Sequence, residues 1–480
     1  MVKISKNVNT IIDTTVHGIK ALSKDEKAVC SNNPQMLINE LESQALSARA
    51  AIVKRTITAN DIINKHSDII NKSEFSKNIS KFLNNHENSP EILEDFNDLI
   101  QMVKDKAISI KIFKDIKEDS VIPKAVSEDL AILRKCKNIK PIDAFVPEIK
   151  TQEEALKNCK VGDVCHIGNN KYIHIKTADD KMEPLNINKE TYFRLFPPVT
   201  RYVNLQNDLG NCYEITALNS VMANPQTRFN LLKSFEQSGK DIIIKFPNRS
   251  IADGIKIPQG KLPESKNKNI GENINLYSIG SEGMRLAEYA FGKELEHDFL
   301  QHQIKNSNDK CLAGKINSYI KNENYTGLAK FFGATNERTL ANNLREGNFA
   351  TVVWSKLGFK ENGFVYLKPI KKECNKENAI SDWSYLEKFF TGKDIEDENI
   401  FFDKITSKEF FDKQLVECSV LSEEPSSKFT KNHSMRLTPI CDKQNNITEY
   451  LITDPYNLTS NKVPSDEILN VIDTITFAKI

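Results

Sequence analysis

The sequence predicts an α+β protein, because three stretches with different patterns follow one another along its 480 residues. Residues 1–118 carry apolar side chains at helical spacing and hold almost no Gly or Pro. From about residue 140, short alternating runs separated by turn residues indicate β-strands. Beyond residue 200 the two patterns are mixed. A chain of this length is expected to divide into two or three domains, each with its own core.

The first stretch predicts a helical N-terminal domain over residues 1–118. The segments NPQMLINELESQALSARAAIV, from Asn33, and SPEILEDFNDLIQMVKDKAISIKIF, from Ser89, place apolar residues on one face of a helix. Such faces can close on each other as a bundle, so we expect a separable domain followed by a linker over residues 119–144. This helical region could target the protein, bind a protein partner or inhibit the rest of the chain.

The second stretch predicts a small β-meander over residues 145–200. The run VGDVCHIGNNKYIHIKTADDKMEPLNI, from Val161, alternates apolar and polar residues between turn signals. Pro197 and Pro198 stiffen its short connection to the region that follows. We therefore expect the meander to pack on that region as one unit.

The third stretch, residues 201–480, predicts a mixed domain that begins with a helix at Cys212. A second helix is expected over SEGMRLAEYAFGKEL, and strands are expected in NFATVVWS, HSMRLTPI and EYLITDP. In the first of these helices, Ile215, Leu218 and Met222 recur at helical spacing. We expect this helix to bury one face and to point its first turn at a cleft.

Composition and charge narrow the classes of function. The 66 Lys and Arg residues nearly cancel the 65 Asp and Glu residues, which leaves no electrostatic footprint for nucleic acid or an anionic membrane surface. We therefore expect a protein or small-molecule partner. The nine cysteines are odd in number and lack paired spacing, which favours free thiols in a reducing compartment and a cytoplasmic location; an unconventional export signal would not be visible. No segment approaches the roughly 18 apolar residues of a membrane span.

The sequence predicts neither a metal nor another cofactor. It holds no glycine-rich loop of the kind that cradles phosphate. An acidic run from Asp394 begins like a calcium loop, but it lacks the required glycine and the final glutamate. Three potential zinc ligands on the expected meander have no fourth ligand at a suitable spacing, which favours ordinary hairpin packing: Cys165, His166 and His174.

Cys212 is the strongest candidate for a chemically active residue. It stands where a helix N-terminus would supply partial positive charge, and such charge favours the reactive thiolate form of a cysteine. Gly210 and Asn211 form the turn before it. Gln206 lies upstream, where its side-chain amide could join a backbone N–H in binding the oxyanion of a tetrahedral intermediate. A buried cysteine on an ordinary helix is the alternative interpretation.

A candidate base and a residue to orient it follow later in the chain. Of the eight histidines, only His433 opens a strand-like run, in which Met435 and Leu437 share its face. Asp454 ends a second such run, and we expect it to receive the other imidazole N–H across neighbouring strands. Together with Cys212, these residues form a nucleophile, a base and an orienting acid in chain order.

The segment QNDLGNC, followed by Tyr213, resembles the Gln-Gly-x-Leu-Gly-Asp-Cys-Trp signature of the calpain-like branch of the papain-fold cysteine proteases. NHSMRLT resembles that family's His-Ala-Tyr-Ser strand, TDPYN resembles its Asn-Pro-Trp-Gly, and LAEYAFGKE resembles its Leu-Glu-Lys-Ala-Tyr-Ala-Lys helix. The resemblance covers about residues 195–480 and implies a papain-like cysteine protease domain there. By this resemblance Cys212 would be the nucleophile, His433 the base and Asp454 the residue that orients it. Gln206 would be the oxyanion donor, and Tyr456 would shield the orienting hydrogen bond.

Four positions depart from the family's pattern, since Asn207, Asn211, Tyr213 and Asp454 stand where the family has Gly, Asp, Trp and Asn. Aspartate would hold an imidazolium more strongly than an amide, because the hydrogen bond is charge-assisted. Transglutaminases and several acyltransferases also use Cys, His and Asp in this order. We expect a thiol endopeptidase that acts on a protein or peptide substrate. The alternatives are an acyltransferase, a transglutaminase-like or deamidating enzyme with the same residues, and an inactive papain-like domain that binds proteins.

Overall fold

The computed structural model describes most of the chain from residue 57 onward. The described ranges are 57–71, 76–105, 113, 120–136, 139–207, 209–262, 277–306, 350–360, 362–366, 407–420, 433–455, 460–472 and 474–480. The chain forms two compact units, residues 1–62 and residues 63–480. The segment from Asn33 that predicts a helix, and the acidic run from Asp394, lie outside the described residues.

The protein is α+β, as its sequence predicts. The helices of the described part are α1 (Ala59–Lys65), α2 (Ser67–Ile70), α3 (Ser76–Asn85), α4 (Pro90–Lys104), α5 (Lys124–Lys135), α6 (Pro141–Phe145), α7 (Gln152–Asn158), α8 (Lys189–Leu195), α9 (Cys212–Ala223), α10 (Arg228–Leu232), α11 (Glu282–Asn306), α12 (Ala350–Lys356), α13 (Lys408–Lys413) and α14 (Ile468–Val471). The strands are β1 (Ser120–Val121), β2 (Glu148–Ile149), β3 (Val164–Ile167), β4 (His174–Lys176), β5 (Met182–Pro184), β6 (Phe235–Ser238), β7 (Asp241–Ile244), β8 (Ile255–Ile257), β9 (Asn362–Tyr366), β10 (Gln414–Val420), β11 (His433–Cys441), β12 (Ile447–Thr453), β13 (Ser460–Pro464) and β14 (Thr474–Lys479).

Helices α3 and α4 pack through one apolar face each, as the sequence pattern predicts for α4. Pro90 is the first residue of α4, a position where the missing backbone N–H costs nothing because it would have no partner inside the helix. The rings of Phe82 and Phe96 lie 4.5 Å apart between their centroids. Both side chains are fully buried, so this aromatic contact joins the two helices.

The largest sheet has seven strands in the order β1-β13-β12-β11-β10-β14-β9, and every neighbouring pair is antiparallel. The strands β11 and β12 form a hairpin at its centre, with Arg436 opposite Thr453. The sequence predicts both strands, and the structure confirms them. The open end of this hairpin brings the start of β11 next to the end of β12, which places His433 close to Asp454.

The two faces of this sheet differ in chemistry. Because side chains alternate along a strand, Cys418 and Met435 point to one face, where they join an apolar core that α13 and α14 cover. Glu417 and Ser434 point to the other face. Helix α9 lies on that second face, where the Thr216 hydroxyl donates to the carbonyl oxygen of Ser434 at 3.0 Å. A polar sheet face thus backs the helix that begins at Cys212.

Two smaller sheets lie in the chain between β1 and the other strands of the largest sheet. Strands β3, β4 and β5 form the antiparallel meander that the sequence predicts. Strand β2 pairs with β3 in parallel, and helix α7 is the crossover between these two strands. Its core includes Cys159 and Cys165. The second small sheet is the antiparallel set β6, β7 and β8.

The stretch 119–144, where the sequence predicts a linker, contains regular structure that is joined to the rest of its unit. Strand β1 pairs with β13, with Ser120 opposite Asn461. Asp129 on α5 is buried and accepts hydrogen bonds from the Val199 backbone N–H at 2.8 Å and from the Arg201 guanidinium at 2.6 and 2.9 Å. The stretch is therefore tied to later parts of the chain, while the three boundaries between the four predicted ranges stay predictions.

The strand predicted in NFATVVWS is wrong, because residues Ala350–Lys356 form the helix α12. A short apolar run is compatible with either a buried strand or a buried helix. The β-branched residues of this segment favour a strand by local propensity. In the structure Trp354 is fully buried, and the ammonium group of Lys356 bonds Glu294 on α11 at 3.0 Å. Tertiary packing on both sides overrides the local propensity. The helix expected over SEGMRLAEYAFGKEL is confirmed as the first part of α11.

Within the described ranges, no helix combines the length and apolar character needed to cross a membrane.

Candidate active site

The turn before Cys212 is held by buried carboxylates. Asn211 is fully buried, and its side-chain Nδ2 donates to Glu214 Oε2 at 3.2 Å and to Glu288 Oε1 at 2.8 Å. Glu288, on α11, also accepts from the backbone N–H of Ser278 at 2.7 Å. These bonds fix the turn against α11, so that Cys212 becomes the first residue of α9.

Helix α9 is more deeply placed than its sequence suggests. Every residue from Tyr213 to Met222 is buried, whereas we expected only one face to be buried. Asn219 has partners inside the protein, since its amide exchanges two 2.8 Å hydrogen bonds with the backbone of Asn204. A helix surrounded by other elements cannot shift easily, and Cys212 at its start remains half-buried.

His433 lies in contact with both Asp454 and Cys212. Its Nε2 is 2.9 Å from Asp454 Oδ1, and the ring is only 3% exposed. The imidazole also makes a hydrogen bond with the Cys212 thiol. Because Nε2 faces the carboxylate, Nδ1 is the nitrogen that remains for the sulfur. Three residues separated widely in sequence therefore meet at the open end of the β11–β12 hairpin.

Charge stabilises the protonated form of this histidine. Burial by itself lowers the pKa of His433, but the hydrogen bonds to Asp454 and Cys212, together with their charges, outweigh it and raise the pKa to about 9. The imidazolium form is thus favoured at neutral pH. A backbone group also reaches the sulfur, since the Ser434 N–H lies 3.4 Å from Cys212 Sγ.

Gln206 links the cysteine turn to the residues that follow strand β12. Its backbone N–H donates to the carbonyl oxygen of Pro455 at 2.6 Å, and its side-chain Nε2 donates to the carbonyl oxygen of Leu209 at 2.6 Å. The side chain is buried, and Oε1 has no hydrogen-bond partner among the described residues. An amide nitrogen carries two hydrogens, so one remains after the bond to Leu209. Tyr456, the predicted shield, lies outside the described residues.

Sequence reasoning missed two residues next to Cys212. Ser434 follows the predicted base, and its hydroxyl donates to Glu417 Oε2 at 2.9 Å. Burial raises the pKa of Glu417 well above its usual range, and the nearby Cys212 acts in the same direction. The signal in the sequence was a single acidic residue inside the apolar run QLVECSV.

Two of the three potential zinc ligands of the meander contact other side chains. His166 contacts Glu148 through Nδ1 at 2.6 Å, while Cys165 packs with Cys159 in the apolar core of the meander. Within the part of the chain that the structure describes, no group of three or more His, Cys, Asp or Glu side chains is arranged to hold a metal ion.

Two comparisons with known proteins accompany this geometry. Neither a scan against protein-family models nor a search of curated proteins found a match for the chain.

Proposed function

We propose that this protein is a thiol endopeptidase with a papain-like, calpain-like catalytic domain. The observation that carries the proposal is the buried His433, which contacts Cys212 on one side and Asp454 on the other at 2.9 Å. A thiol, an imidazole and a carboxylate joined in this order constitute the minimum machinery of a cysteine nucleophile. The order along the chain, Cys then His then Asp, supports the same proposal.

In the proposed reaction, the Cys212 thiolate attacks the carbonyl carbon of a peptide bond and forms a C–S bond. The resulting oxyanion would be bound by the backbone N–H of Cys212 and by the remaining hydrogen on Gln206 Nε2. The His433 imidazolium gives its proton to the leaving nitrogen as the C–N bond breaks. Water then attacks the thioester, His433 accepts one proton from that water, and the carboxylic product and the thiolate are released.

Acyl transfer is the second candidate, and Asp454 is the observation that favours it. Asp454 lies where the resembled proteases have an asparagine, and its carboxylate oxygen is the group that contacts the imidazole. The first half of the reaction would be the same, but an amine instead of water would attack the thioester. Hydrolysis would leave a new carboxyl group on the acyl product, whereas transfer would join an added amine to the same acyl carbon through a new amide bond.

A peptide-based probe with a thiol-reactive group should label Cys212 much faster than the other eight cysteines of the chain. Cys212 alone among the described cysteines combines a helix N-terminus with a histidine contact. The measurement is mass spectrometry of the digested, labelled protein, with Cys441→Ala as a matched control because Cys441 is also half-buried. Equal labelling of several thiols would contradict the proposal.

The variant Asp454→Asn should move the upper limb of the pH–activity profile to lower pH by about one unit or more. Asp454 helps to raise the pKa of His433 to about 9, so the wild-type enzyme should keep the protonated imidazole until the pH passes that value. Removing the carboxylate charge lets the proton leave at lower pH. The measurement is kcat/KM for a cleaved peptide across pH 5–10. This range includes the reference pKa values of about 6.5 for His and 8.5 for Cys.

Asp454→Ala is the companion variant. It should lose more activity than Asp454→Asn, because the ring then has no orienting partner at all. An upper limb that stays in place in both variants would show that another group holds His433.

A further inference from the structure

A hydrogen-bonded chain runs from a buried carboxyl group to the sulfur of Cys212. Glu417 Oε2 accepts from the Ser434 hydroxyl at 2.9 Å, and the Ser434 backbone N–H points at Cys212 Sγ from 3.4 Å. The Ser434 carbonyl oxygen is held by the Thr216 hydroxyl at 3.0 Å. Three polar groups of one residue are therefore occupied, and each bond restricts the position of the N–H that reaches the sulfur.

The surroundings of Glu417 favour a neutral carboxylic acid. The side chain is fully buried on β10, and Oε1 has no hydrogen-bond partner within the described ranges. The sulfur of Cys212, on α9, disfavours a negative charge on Glu417. Arg436 lies directly opposite Glu417 on β11 and favours the ionised carboxylate. On the other side of Glu417, β14 places the uncharged Thr476 opposite it. No ion pair within 4 Å is formed between Glu417 and Arg436 among these described residues, so burial decides the balance.

We propose that Glu417 is a positioning residue for the cysteine chemistry: as a neutral acid it holds the Ser434 hydroxyl, and through it the backbone N–H that contacts Cys212. This inference rests on the proposed function of Cys212 as a nucleophile. A hydrogen bond to sulfur stabilises the thiolate more than the thiol, because the acceptor is then charged. A loosened N–H would leave less thiolate at a given pH.

The protonation state of Glu417 determines the sign of the expected effect. A neutral Glu417 supports the thiolate only through Ser434, so its removal makes Cys212 less reactive. An ionised Glu417 would repel the thiolate across the short distance between β10 and α9. Its removal would then make Cys212 more reactive, which is the opposite result.

The test is the rate at which iodoacetamide alkylates Cys212 at pH 6, followed by peptide mass spectrometry in the full-length protein. Glu417→Ala should slow alkylation about threefold to tenfold, as expected for a weakened hydrogen bond to a charged group. Glu417→Gln should recover most of this loss, since its amide oxygen can accept from Ser434. Thr476→Ala is the matched control, a buried polar neighbour on the same sheet face that should leave the rate unchanged.

Ser434→Ala tests the same series of hydrogen bonds by removing the hydroxyl that donates to Glu417. It also provides a test if Glu417→Ala does not fold. It removes the hydroxyl but keeps the backbone N–H, and it should slow alkylation in the same direction as Glu417→Ala. Faster alkylation in Glu417→Gln, or an unchanged rate in Ser434→Ala, would overturn the inference. Alkylation requires no peptide substrate, so a wild-type Cys212 that reacts no faster than the other thiols would instead contradict the proposed function itself.

Discussion

Cleavage of a peptide library should fall by about 10⁴-fold or more in Cys212→Ala and by a similar factor in His433→Ala. The sulfur supplies the bond to the acyl carbon, and His433, held by Asp454 at 2.9 Å, supplies and removes the protons. Neither residue can work without the other, because a thiol without its base attacks poorly and a base without its nucleophile has nothing to activate. The measurement is the appearance of new peptide amino termini over time.

The double variant Cys212→Ala, His433→Ala gives the sharper result. Residues that act as a unit are not additive, so the double variant should be about as inactive as either single variant. Cys441→Ala and His166→Ala are the matched controls: the first removes another half-buried thiol, and the second removes a histidine whose contacts are Glu148 and Asn170. Losses that multiply in the double variant, or a control that is as damaging, would show that the two residues do not share one reaction.

Asp129→Ala should lower the free energy of unfolding by about 3–5 kcal/mol, the usual cost of leaving a buried charge without its partner. Asp129 holds the Arg201 guanidinium through two hydrogen bonds and the Val199 N–H through a third. The Arg201 side chain is 13% exposed and the Asp129 side chain 2% exposed. The guanidinium of Arg201 would then lie against the rings of Phe145 and Tyr202 with no anion beside it. The measurement is urea unfolding monitored by circular dichroism, which gives the midpoint and the slope of the transition.

Asp412→Ala is the matched control for this loss, because Asp412 forms an exposed pair with Lys408 on α13. Removing it should cost less than about 1 kcal/mol. In a double-mutant cycle, Arg201→Met should recover part of the Asp129→Ala loss, since the unpaired charge is then gone. Equal midpoints for Asp129→Ala and wild type would show that α5 contributes little to the unit. A fragment that starts at residue 140 lacks Asp129, so it should be less stable than one that starts at residue 120.

The sequence predicts the parts of the fold that depend on a local period. The start of α9, the strands β11 and β12, and the meander strands all follow from apolar spacing and turn residues. The same spacing predicts that His433 and Asp454 meet, because a hairpin places its two open ends side by side. The reaction class stays a prediction, since it depends on which acceptor reaches the thioester.

The remaining features depend on contacts between distant segments, which no local period encodes. Helix α12 forms because Trp354 and Lys356 are surrounded by other elements, not because its residues favour a helix. Glu417 lies on β10 and Ser434 on the neighbouring strand β11. Only the register between these two strands brings both residues next to Cys212. The pairing of β1 with β13 joins residues that lie far apart in the chain, and a two-residue strand leaves no pattern to find.

The long separation between Cys212 and Ser434, 222 residues along the chain, has a consequence for biosynthesis. A ribosome that adds about 5–20 residues per second needs roughly 10–45 s to pass from one to the other. During that interval the nascent chain carries the sulfur but neither the imidazole nor the strand N–H that contact it in the finished protein. Synthesis of the strands β11 and β12 therefore sets the earliest moment at which the proposed chemistry can begin.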